Sequence, residues 1–165
     1  METSQYKTPG TQALYGRYAG MLYRLAYAVL RTQQDAEDAV AEVFVKWITK
    51  HPVFRDAEHE RAWFVRVCVN QCRDFQRRRK IRVYTPLEQV SEALADIPPD
   101  TAGVLEDVLA LPEKYKMVIL FYYFEDFSVG EIAASLGTSV SAVKMRLSRA
   151  RQLLRRNMEG NYEDV

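Results

Sequence analysis

Apolar residues recur at helical spacing along nearly all of this chain, and the pattern gives way only between Thr85 and Gly103. Each amphipathic helix must bury one stripe, so a succession of them closes into bundles. No strand alternation competes with this pattern. The weak stretch holds Pro86, Pro98, Pro99 and Gly103 among several acids, a composition that favours a linker. The expected fold is all-α: two small helical domains, residues 11–84 and 105–158, joined by a flexible linker at 85–104 that carries one short helix at 87–94.

In the first domain, Leu14, Tyr18, Leu22, Leu25 and Val29 mark the inner face of a helix over 14–30. Ala36, Val40, Val43, Phe44 and Trp47 mark that of a second, over 35–48, which Pro52 ends. A polar loop at 55–60 precedes a third, from Ala62 to about Ile81, with Phe64, Val67, Cys68, Cys72 and Phe75 on its apolar side. In the second domain a short helix spans 105–111, and Pro112 suits the first turn of another that runs to about Phe124. Its aromatics Phe121, Tyr122, Tyr123 and Phe124 are read as core. Ser128 and Glu131 have capping-box spacing, each able to satisfy an orphan backbone N–H. The helix they open buries Ile132, Ala133 and Leu136. Gly137 supplies a left-handed turn, and Ser139 caps the last helix. Helix, glycine turn and helix form a helix-turn-helix.

The net charge is only +1, but the signs are separated along the chain. Residues 140–156 hold six basic side chains and no acid. There Val143, Leu147, Ala150 and Leu154 face inward, leaving Ser141, Lys144, Met145, Ser148, Arg149 and Gln152 outside, flanked by Arg146, Arg151, Arg155 and Arg156. A major groove admits such a helix, with Lys144 and Arg149 placed to read base edges. In the third helix, Arg66, Asn70, Arg73 and Arg77 share one stripe, which Arg78, Arg79, Lys80 and Arg82 extend. Cations can follow a phosphate chain while an amide reads a base. A solvated charged face would have the same composition; turn chemistry in one case and Asn70 in the other favour nucleic acid. The second helix differs. Glu37, Asp38, Ala41, Glu42 and Val45 mix acids with small apolar groups, a face that repels nucleic acid and suits a basic partner helix.

Catalytic signals are lacking. There is no phosphate-binding glycine loop, no metal-ligand cluster and no triad around His51 or His59, so no catalytic residue, metal or cofactor is expected. Cys68 and Cys72, one turn apart, read as small core residues. No apolar run is long enough to span a bilayer and the first ten residues do not resemble a signal peptide, so the cytoplasm is the simplest compartment.

Residues 35–44 (DAEDAVAEVF), then Ala62-Trp63-Phe64, Asn70 with Asp74 and Arg77-Arg78, Leu111-Pro112, Glu131-Ile132-Ala133, Val143-Lys144 and Arg149-Ala150-Arg151 resemble the extracytoplasmic-function sigma factors of bacterial RNA polymerase. The likeness runs from about Leu14 to Arg156, in the family's order. It implies that the acidic helix binds the clamp helices of core polymerase through Asp38 and Glu42, with Ala41 and Val45 beside them. The segment from Phe54 to Arg61 and the following helix would open the promoter and hold minus-ten bases, with Asn70, Arg73 and Arg77 on or near that surface and Arg66 and Arg78 flanking it. The last helix would read the minus-thirty-five element through Lys144, Met145, Ser148 and Arg149, with Ser139, Ser141, Arg146 and Arg151 around them. The helical segment before it would dock on the polymerase flap. An anti-sigma factor is a further implied partner. The chain departs from the family in having Ala41 for glutamine, Ser141-Ala142 for glycine-threonine and Cys68 for alanine. The competing reading is a free-standing helix-turn-helix regulator that acts without core polymerase; it leaves Asn70 and the acidic helix unexplained.

Overall fold

The computed structural model describes residues 6–78 and 102–162, which fall into two compact units within Met1–Ala93 and Leu94–Val165. Every element among the described residues is helical. The expected linker up to 101, its short helix at 87–94, and Arg79, Lys80 and Arg82 lie outside the described residues.

The first unit is a three-helix bundle of α1 (Thr11–Leu30), α2 (Gln33–Lys50) and α3 (Ala57–Arg78), each packed on the other two. Tight left-handed residues reverse the chain after α1 at Arg31 and after α2 at His51, with Pro52 next. Thr32 caps α2, its hydroxyl accepting from the Asp35 N–H at 3.3 Å. Leu14, Tyr18, Leu22 and Leu25 are buried as expected, whereas Val29 and Trp47 are half-buried. On α3, Val65 and Val69 take inward positions that the sequence reading gave to Val67 and Phe75, both half-buried. Phe64 is the centre of the core. Tyr18 stacks on it at 4.7 Å between centroids, and Phe44 tilts against it at 5.5 Å.

The segment 55–60, expected as a loop, instead leads into α3, which begins at Ala57. Asp56 caps it: its carboxylate accepts from the His59 N–H at 2.7 Å and its carbonyl from the Glu60 N–H at 3.1 Å. The Arg55 N–H in turn donates to His59 Nδ1 at 3.1 Å. A polar run that reads as loop is therefore a capped first turn.

The second unit comprises α4 (Ala102–Leu109), α5 (Glu113–Ile119) with a π-wound turn at Leu120–Phe124, α6 (Val129–Leu136) and α7 (Val140–Tyr162). Helix α4 starts and ends earlier than expected. Pro112 disfavours helical geometry in the residue before it, and a single three-residue turn, Leu111 N–H to Val108 carbonyl at 3.1 Å, closes the end. Pro112 itself precedes α5 as its N-cap. In the π turn the Glu125 N–H reaches the Leu120 carbonyl at 3.1 Å. Of the aromatic run only Phe121 is fully core; Tyr122 and Phe124 are half-buried and Tyr123 is exposed. Phe121 and Phe127 tilt against each other at 5.0 Å between centroids, and Ile132, Val143 and Leu147 are buried in the same unit.

Candidate nucleic-acid interface

The turn before α7 forms as its chemistry dictates. Ser128 Oγ accepts from the Glu131 N–H at 3.1 Å and opens α6. Gly137, at φ 65°, ends it. Ser139 Oγ then accepts from the Ala142 N–H at 3.1 Å and opens α7. Val143, Leu147 and Ala150 are buried on α6 and α5, and Leu154 is half-buried. Ser141, Lys144, Met145, Ser148, Arg149 and Gln152 are all exposed, Met145 to 73%. The N-terminal turn of α7 thus offers hydroxyls, a lysine and a thioether, with Arg149 one turn on. Arg149 lies along the helix, donating to Gln152 Oε1 at 3.3 Å. Arg146 is half-buried. Arg151 turns back on the π turn, where its Nε–H donates to the Tyr123 hydroxyl at 2.8 Å and its guanidinium lies 5.7 Å from that ring.

On α3, Arg66, Asn70, Arg73, Arg77 and Arg78 are all exposed, and the first four follow one stripe. Arg77 pairs with Asp74 at 3.4 Å, an exposed contact of small energetic weight. On α2, Glu37, Asp38, Ala41, Glu42 and Val45 are exposed together. Ile48, half exposed one turn beyond Val45, extends that apolar patch and was missed from the sequence. Lys46 Nζ donates to the largely buried Gln71 Oε1 at 2.8 Å, fastening α2 to α3.

Sequence reasoning also missed the buried Glu60. Its Oε1 accepts from Arg17 Nη1 at 2.9 Å and from the Tyr18 hydroxyl at 2.7 Å, and its Oε2 from the Tyr6 hydroxyl at 2.7 Å. Burial, and then the bond to Glu60, push the Tyr18 phenol well above its ordinary range; for Tyr6 the bond to Glu60 is the larger cause. The available signal was spacing, since Glu60 sits four residues before Phe64 on the same helix face. Cys68 and Cys72 are free and buried, with the Cys68 thiol 3.6 Å from the Leu22 carbonyl and raised by its contact with Cys72 and by burial. Among the described residues no three His, Cys, Asp or Glu side chains gather to hold a metal ion, and no helix is long and apolar enough to cross a membrane.

A bundle with an acidic face and a basic stripe, together with a basic helix-turn-helix, defines a two-part helical DNA-binding protein. Residues 14–81 match the family described as Sigma-70 region 2, and residues 107–154 match Sigma-70, region 4. The chain is 36% identical to the RNA polymerase sigma factor SigV of Bacillus subtilis, over 81% of each chain. It is 29% identical to the ECF RNA polymerase sigma factor SigW of the same organism, over 86% of this chain and 84% of that one. In fold it is similar to the sigma factor RpoE of Bartonella quintana, solved with the anti-sigma factor NepR: the TM-score is 0.72 at 19% identity, covering 90% and 96% of the two chains. The chain belongs to the extracytoplasmic-function sigma factors of bacterial RNA polymerase. Both regions occur in the family's order, which a free-standing regulator would not require.

Proposed function

We propose that this sigma factor divides its work among three surfaces. Asp38 and Glu42, with Ala41 and Val45, bind the clamp helices of core polymerase. Asn70, with Arg66, Arg73, Arg77 and Arg78, holds melted minus-ten bases and their phosphates. Lys144, Met145, Ser148 and Arg149 read the minus-thirty-five duplex, while Ser139, Ser141, Arg146 and Arg151 support phosphate contact and helix placement. Residues 11–84 and 105–158 act as the two working domains on the linker 85–104, and the second also docks on the polymerase flap. The chain performs no chemistry of its own; the polymerase makes the phosphodiester bonds. Its place of action is the cytoplasm, and an anti-sigma factor masks its polymerase-binding faces; that the Bartonella sigma factor was solved with an anti-sigma factor supports a partner of this kind.

The observation that carries this reading is the sorting of exposed charge within one bundle. The outward side of α2 presents Glu37, Asp38 and Glu42, while α3 presents Arg66, Asn70, Arg73 and Arg77. Run-off transcription with purified core polymerase on a promoter library tests it. Transcripts from a defined promoter class, dependent on both components, are expected. Occupation of unmelted duplex sites by the chain alone, with no response to core polymerase, would overturn the reading.

A further inference from the structure

We infer that Glu60 and the segment bearing Tyr6 position the strand-holding surface of the first unit, an inference that rests on the reading that this surface captures melted promoter bases. Glu60 is fully buried in the first turns of α3, yet its three described donors come from outside that helix. Two belong to α1, and Tyr6 lies before α1. A carboxylate buried among partners stabilises little more than apolar packing would, but a satisfied network admits a single arrangement.

That arrangement extends to the entry of α3. The Glu60 N–H bonds the Asp56 carbonyl at 3.1 Å, and the next residue back, His59, both receives the Arg55 N–H and donates to Asp56. Bonds therefore run from Tyr6 and α1 through Glu60 to the backbone of residues 55 and 56. Phe54, 1% exposed, is held against Trp63 at 5.9 Å, whereas Val53 beside it is 84% exposed. A pinned backbone with an exposed tip is preorganised to meet an unstacked base, because less freedom is lost on contact. Tyr6 lies outside the region 2 match at residues 14–81, so the family likeness assigns it no part.

Glu60→Ala would leave Arg17 and Tyr18 without their acceptor and risks unfolding the chain. Tyr6→Phe and Arg17→Met each remove one donor from a partly exposed position. Each variant is assembled with core polymerase and assayed for core affinity, for retention of upstream duplex, and for binding of a fluorescent single strand carrying the minus-ten sequence of a promoter selected by run-off. Single-strand affinity is expected to fall roughly three- to tenfold, the scale of one net intramolecular hydrogen bond. Core affinity and duplex retention stay at the wild-type level, which a general loss of structure would not allow. Wild-type single-strand affinity in both variants, or a parallel loss of core affinity, overturns the inference. A wild-type holoenzyme that fails to hold the strand overturns the functional reading beneath it.

Discussion

Gly137→Ala isolates the conformational demand of the turn that presents α7. Gly137 stands at φ 65° and ψ 39°, and a Cβ built there meets no heavy atom within 4 Å. Crowding therefore adds nothing. What remains is the left-handed backbone itself, roughly 1–2 kcal/mol for an L side chain. Alanine also narrows the unfolded ensemble, which offsets about 0.4–1 kcal/mol. The net loss is about 1 kcal/mol, confined to the second unit. Trp47 and Trp63, the two tryptophans of the chain, lie in the first unit, so tryptophan fluorescence follows that unit while far-ultraviolet circular dichroism follows both. For a unit this small the urea dependence is about 1 kcal/mol/M, which places the expected shift of the second unit's midpoint near ~1 M. The fluorescence midpoint should stay in place. Gly137→Asn should recover part of the loss, because asparagine tolerates left-handed geometry. An unmoved dichroism transition, or an asparagine variant no better than alanine, refutes the reasoning.

Arg149→Ala should weaken minus-thirty-five binding by about 1–3 kcal/mol in a gel shift with reconstituted holoenzyme; unchanged affinity would remove Arg149 from the reading surface. Glu42→Lys places a cation on the acid face of α2 at an exposed site, so it should reduce capture of core polymerase while leaving the circular-dichroism melt unaltered. Equal pull-down by wild type and variant would contradict that role. Tyr18→Phe addresses the buried network at high pH. The folded phenol is raised above its unfolded value near about 10, so its contribution is whole below that pH and is lost as pH rises through the folded value. Urea midpoints followed by tryptophan fluorescence should therefore fall less steeply above pH about 10 in the phenylalanine variant, from a lower starting stability. Parallel pH profiles would refute it.

Spacing and turn chemistry made the fold legible. Ser128, Gly137 and Ser139 each act locally, through a bond to the backbone or a φ angle, so sequence alone locates them. The exposed stripe of Arg66, Asn70, Arg73 and Arg77 followed from periodicity for the same reason. Three things were not legible. The cap of α3 uses Asp56 with His59, a pair that reads as polar loop until the Arg55 N–H is seen on Nδ1. Glu60 depends on donors 42 to 54 residues away, and no local pattern announces a partner at that distance. Arg151 shows the same limit: helical spacing set it beside the reading face, as found, but its bond to Tyr123 on the π turn, 28 residues back, leaves no local trace.

On the proposed reading, the bundle needs no additional domain to keep its two macromolecular partners apart. Helices α2 and α3 pack directly, fastened by Lys46 and Gln71, yet their outward faces carry opposite charge. Exposed charges act over roughly 8–10 Å at physiological salt, less than the width of a bundle with its side chains, so each face meets its partner with little cancellation from the other. Phosphates are drawn to α3 and repelled from α2, and a basic helix is steered the other way. Val45 and Ile48, half exposed beside the acids, then supply the apolar contact that a purely electrostatic encounter lacks. Charge directs the approach, and the small apolar patch decides how long the polymerase stays. It follows that Val45→Asp should speed dissociation from core polymerase more than it slows association, whereas Glu42→Lys should do the reverse.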